Sequence, residues 1–201
     1  MKLRIQSGLI RLAWICGASL AVVGCGANDN YMPMQVNKKW TYRVRAGFER
    51  HTVPIRVVRE LTVASTTGYE LASPLGVSRI AWKSGKLVAD STVNAQFIPP
   101  IPLLVPGAKL DSKKVKQVET WHGRIIALGQ EKPASAVLTE QLDTVDFGTR
   151  KVNAILATLT IRIPNGVLEL QSWYQSGVGL IQQEQRTNGT RIVQLSLVSH
   201  S

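Results

Sequence analysis

The stretch Ile155-Leu-Ala-Thr-Leu-Thr-Ile-Arg-Ile163 alternates residue by residue. Ile155, Ala157, Leu159, Ile161 and Ile163 fall on one side, and Thr158, Thr160 and Arg162 on the other. Side chains of an extended chain point to opposite faces in turn, so this period of two marks a β-strand with one dry face and one wet face. The same reading extends outward. Ala134 to Phe147, Thr149 to Ile163, Gly166 to Tyr174, Val178 to Arg186 and Arg191 to Val198 read as successive strands. Gly148, Pro164-Asn165-Gly166, Ser176-Gly177 and Asn188-Gly189 punctuate them as turns. Asn188-Gly-Thr190 has the form of a glycosylation sequon but reads better as the Asn-Gly turn of the last hairpin. Only Ala134 to Leu142 admits a helical alternative.

Towards the N-terminus the pattern continues. Lys38 to Arg45 sets Trp40, Tyr42 and Val44 on one face. Pro54 to Val63 alternates likewise, Tyr69 to Ser73 is a short strand, and Val77–Lys83 with Lys86–Val93 makes a hairpin about Ser84-Gly85. One segment breaks the pattern: Phe97-Ile-Pro-Pro-Ile-Pro-Leu-Leu-Val-Pro-Gly107. Proline cannot donate to a ladder, so Pro99, Pro100, Pro102 and Pro106 point to a loop. Phe97, Ile98, Leu103 and Leu104 would then pack inward at the core edge or form an apolar lid over the mouth of an open sheet. The fold class expected is all-β or mainly β: a single antiparallel meander of roughly ten strands, as a curved open sheet or half-barrel.

The first 25 residues carry a different signal. Lys2, Arg4 and Arg11 precede an apolar run of about a dozen residues, Leu12 to Val23, in the range of a signal-peptide core and too short to span a bilayer. Val22-Val23-Gly24-Cys25 follows directly and resembles the lipobox of bacterial lipoproteins. The resemblance implies removal of residues 1–24 and lipidation of Cys25 with acyl chains such as palmitate. Cys16, preceded by the bulky Ile15, fits that pattern less well. Gly26 in place of an aspartate implies, for a Gram-negative host, sorting to the periplasmic face of the outer membrane. Residues 25–36 then read as lipidated cysteine and short linker, and 37–201 as the β domain.

Residues 1–24 hold three of the 24 Lys and Arg and none of the 13 acids, so the mature chain has 177 residues and a formal charge of +8. That length suits one domain. The charge favours anionic partners, though an exported, lipidated chain is a poor candidate for nucleic acid. Lys109, Lys113, Lys114 and Lys116 form the densest basic cluster and the best local candidate for contact with acidic head groups. With Cys16 removed and Cys25 lipidated, the body has no disulfide, thiolate metal site or thiol nucleophile.

Trp173-Tyr-Gln-Ser-Gly-Val-Gly-Leu-Ile-Gln-Gln-Glu184 resembles a motif of exported bacterial β proteins and lipoproteins, mostly uncharacterised, in which an aromatic pair precedes Gly-Val-Gly. Trp40-Thr-Tyr42 resembles the opening strand of the same group. Gly177 and Gly179 permit a sharp turn or bulge, and Trp173 and Tyr174 supply bulk, which makes the motif structural. A looser analogy runs to the half-barrels of the LolA and LolB type.

Catalytic constellations are missing. No Gly-x-Ser-x-Gly, His-Glu-x-x-His, P-loop or dinucleotide fingerprint occurs, and no cofactor or metal is implied. His122 and Glu119, three apart, point to opposite faces of a strand. Glu184 with Arg186 reads as a surface ion pair. The leading expectation is a non-catalytic envelope lipoprotein that binds a protein partner or supports envelope assembly. The alternative is a lipid- or lipoprotein-binding module with an apolar cavity. An enzyme on an envelope polymer, built around His122, ranks third.

Overall fold

The computed structural model describes residues 29–107 and 110–201. The expected signal segment, Cys16, Cys25 and Lys109 lie outside the described residues. After a 3-10 turn at Asp29–Tyr31 the chain forms twelve strands: β1 (Lys39–Ala46), β2 (Glu49–Val63), β3 (Thr66–Ser73), β4 (Gly76–Lys83), β5 (Lys86–Thr92), β6 (Ala95–Leu104), β7 (Lys116–Ala127), β8 (Gln130–Phe147), β9 (Arg150–Ile163), β10 (Gly166–Gln175), β11 (Gly179–Thr187) and β12 (Thr190–His200). Each strand pairs antiparallel with the next, as expected for a meander. β12 also returns to pair with β1, from Trp40 with His200 to Ala46 with Val193. The sheet is therefore a closed barrel of twelve strands, not an open sheet or half-barrel of about ten. Closure gives every strand a partner on both sides, with β6 and β7 joined over three residue pairs only.

Closure also sorts the connections. At one end, which we call the far end, β1–β2, β3–β4, β5–β6, β7–β8, β9–β10 and β11–β12 are all joined by two residues. At the other, the entry end, lie the chain's approach to β1, the end of β12, the two-residue β2–β3, β4–β5 and β8–β9 turns, and the longer 105–115 and 176–178 connections.

The inward face is apolar and filled. Trp40, Tyr42, Val44, Val57, Leu87, Ile101, Leu104, Leu138, Ile155 and Leu159 are all buried within it. A twelve-stranded ring encloses more space than an eight-stranded one, and bulky residues fill it. Trp121 stands edge-on to Phe97, with ring centroids 6.4 Å apart.

The proline-rich segment is a wall strand, not a loop. β6 pairs with β5 along much of its length but with β7 only through Gln96, Phe97 and Ile98. Pro99, Pro100 and Pro102 follow where no ladder to β7 exists, so their missing N–H groups cost no hydrogen bond on that side. The Pro99 carbonyl accepts instead from the Trp121 indole (3.0 Å). Gly123 permits this approach, because a Cβ there would lie 2.3 Å from the Ile98 carbonyl oxygen. Ala134–Leu142, the one segment with a helical alternative, lies within β8.

Besides a small separate cluster of Val63, Ala81 and Val88, a dry patch surrounds Trp173 outside the barrel. Trp173 pairs with Leu156 and Gln182 on the outward row, yet it is buried. Its indole N–H donates to Asp143 Oδ2 (2.7 Å) near the end of the β8–β9 hairpin. The same hairpin end, through Asp146, Phe147 and Gly148, shares a hollow of about 300 Å³ with Arg43, Ser196 and Val198.

Candidate functional site: the entry end of the barrel

Three pieces of chain meet at the entry end. The first is the approach to β1. The Asn30 carbonyl accepts the Gly177 N–H (2.8 Å), and the Met32 carbonyl accepts the Trp82 indole N–H (3.2 Å). Met32 itself is buried. Residues expected to be linker thus cross the barrel mouth from the β10–β11 turn to β4 and seal it.

The second piece is the 176–178 turn and the start of β11. Gly177 has φ +79° and Gly179 φ +107°, a region that L side chains avoid. A Cβ on Gly179 would lie 3.2 Å from Trp40 Nε1 and 3.3 Å from Met32 Sδ. A register shift follows between Trp173 and Tyr174, opposite Leu180–Gln182. Carbonyls at this irregular turn and strand start are met by side chains from β1: Trp40 Nε1–H donates to Val178 O (2.9 Å) and the Tyr42 hydroxyl to Leu180 O (2.8 Å). The two sequence motifs, 138 residues apart, are one interlock. Burial raises the Tyr42 hydroxyl pKa far above the usual phenol range, with the neighbouring Tyr174 adding to the effect, so the donor stays protonated. Tyr174 shifts the same way, chiefly through burial.

The third piece is the 105–115 connection, tied to β8. Leu142 N–H donates to Asp111 O (3.3 Å), and Val105 N–H donates to Glu140 Oε1 (2.5 Å). Glu140 is fully buried on the inward face, and its Oε2 has no hydrogen-bond partner among the described residues. Desolvation raises its pKa to about 7, against the opposing pull of the Val105 N–H and the Lys116 charge. Nearby the buried Ser172 accepts from Gln183 Nε2 (2.9 Å). Glu140 escaped the sequence reading, although the signal was present: it is the one acid on the apolar row Ala136, Leu138, Glu140.

The other predicted residues fall as follows. Phe97 and Leu104 are buried in the core, Leu103 is half-buried and Ile98 is exposed, so the four do not form one apolar lid. Lys113, Lys114 and Lys116 are exposed at the entry end. His122 is exposed on the outer wall opposite Ser135, whereas Glu119 ion-pairs with Lys86. Glu184 pairs with Arg186 (3.1 Å), and also with Arg191 (3.3 Å). Among the described residues, no group of His, Cys, Asp and Glu is placed to hold a metal ion.

No protein-family model matches the chain, and no curated protein does. Solved structures do. A candidate lipoprotein of Parabacteroides distasonis is similar with a TM-score of 0.52 at 12% identity, over 85% of this chain and 98% of that one. A candidate exported protein with YmcC-like fold from Bacteroides fragilis gives 0.48 at 12% identity, over 83% and 96%. The hypothetical lipoprotein YmcC of Escherichia coli gives 0.42 at 12% identity, over 86% and 88%. The first of these likenesses is one of fold.

Proposed function

We propose that this chain is a membrane-anchored lipoprotein of the cell envelope, held through Cys25 at the periplasmic face of the outer membrane. In this reading it acts without catalysis, presenting its barrel to an envelope protein partner or as part of an envelope assembly. The observation that carries it is the sealed entry end. Only three residues, Gly26 to Asn28, lie between Cys25 and Asp29, a reach of at most about 14 Å over four residue steps, before the chain is bonded to the barrel at Asn30. A lipid on Cys25 would therefore hold the barrel directly against the bilayer. The fold likeness to a candidate lipoprotein agrees with this reading.

The cavity reading is less well supported, because the interior that a ligand would occupy is filled by Trp40, Tyr42, Trp121 and their neighbours. The test of the anchor is Cys25→Ser in cells fed labelled palmitate. The parent protein should take up label and fractionate with membranes, and the variant should do neither. Label retained by the variant, or a soluble parent protein, would overturn the proposal. Cross-linking in intact envelopes then reads the partner, and a reproducible protein adduct is expected.

A further inference from the structure

The lysines of this barrel gather at one end. Among the described residues there are nine lysines. Lys38 and Lys39 lead into β1, and Lys83 and Lys86 flank the β4–β5 turn. Lys113, Lys114 and Lys116 belong to the 105–115 connection and the start of β7, and Lys151 follows the β8–β9 turn. All eight sit in or beside connections of the entry end. Only Lys132, next to the β7–β8 turn, belongs to the far end.

Five of the eleven described arginines are held in carboxylate pairs along the wall. Arg59 and Arg79 share Glu70, Arg124 pairs with Glu131, and Arg186 and Arg191 share Glu184. Of the lysines, only Lys86 has a carboxylate partner, Glu119. Bidentate guanidinium groups suit fixed pairs along the wall, whereas hydrated ammonium groups on flexible stems suit a diffuse anionic surface. The entry end is also where the chain arrives from Cys25.

We infer that the entry end is the membrane-facing end, and that its lysines without a carboxylate partner, Lys113 and Lys114 foremost, rest on the anionic phospholipid head groups of the bilayer that holds the anchor. This orientation rests on the anchored-lipoprotein reading and adds the partner chemistry. It directs the far end, with the exposed Phe48 and Leu128 at its hairpin tips, away from the membrane.

Lysine acetylation footprinting of the lipidated full chain on vesicles tests it, with Lys132 as internal control. On phosphatidylcholine vesicles containing phosphatidylglycerol, Lys113 and Lys114 should be protected roughly fivefold relative to Lys132. Pure phosphatidylcholine, or salt raised to about 0.5 M, should erase the difference. Lys113→Gln with Lys114→Gln should weaken protection of Lys116 on the mixed vesicles. Equal protection of all lysines on both vesicle types would overturn the orientation. So would a soluble acidic polysaccharide that protects the entry-end lysines better than the anionic vesicles do. Co-flotation with pure phosphatidylcholine vesicles reads the anchor separately: a chain that fails to float loses the anchor reading itself, and one that floats without differential protection loses only the orientation.

Discussion

At the scale of the residue, Glu140 is the group most out of keeping with its surroundings. A carboxyl whose pKa is raised in the folded state binds a proton there that the unfolded chain has released. Between its ordinary range near 4.5 and about 7, its contribution to stability therefore falls as pH rises. Glu70 behaves in the opposite sense: hydrogen bonding to Arg59, helped by Arg79, holds its carboxyl below the usual range against desolvation. Its contribution is complete above the unfolded value and lost only in acid. Glu140→Gln keeps an acceptor for Val105 and removes the titration. Urea unfolding at pH 5.5 and 8 should show the variant gaining about 1–3 kcal/mol on the parent at the higher pH. An unchanged pH slope would sink this account. Gly179→Ala combines a left-handed backbone with contacts to Trp40 and Met32. It should cost about 1–3 kcal/mol in the same assay, whereas Gly177→Ala, with nothing within 4 Å, pays only the backbone cost and should lose less.

At the scale of the element, the approach to β1 is part of the fold. Met32 is buried among Trp82, Gly179 and the core, so Met32→Ala should destabilise by about 2–5 kcal/mol. Limited proteolysis checks the mechanism: cleavage before β1 should become faster in Met32→Ala while the barrel fragment persists. A cut rate equal to that of the parent would mean that the segment is not held by this contact. β6 teaches a related lesson. Proline argues against a strand only where its N–H would face a paired neighbour, and the ladder from β6 to β7 stops at Ile98.

At the scale of the molecule, closure joins residues as distant in sequence as Trp40 and His200. Contacts of such separation slow folding, so single-domain refolding should take milliseconds to seconds or longer after dilution from denaturant. Sub-millisecond refolding in stopped flow would contradict a barrel closed by its terminal strands. The far-end tips make a contrasting prediction. Phe48 and Leu128 are fully or nearly fully exposed, so Phe48→Ser and Leu128→Ser should each shift stability by no more than about 0.5 kcal/mol. A reduced yield of envelope cross-links in those variants would place the partner at that end.

The sequence by itself determined what is local. Period-two alternation specified strands such as Arg150–Ile163, and Asn188-Gly189 and Ser84-Gly85 specified their turns, because strand facing and turn geometry are set within a few residues. The proposed leader and anchor at Cys25 rest on an equally local pattern. Only the tertiary structure decided that β12 returns to β1, that β6 belongs to the wall, that Glu140 faces a dry interior, and that eight lysines gather at one end. Each of these depends on register and twist accumulated around twelve strands, and on which connections share an end. No window of neighbouring residues contains that information.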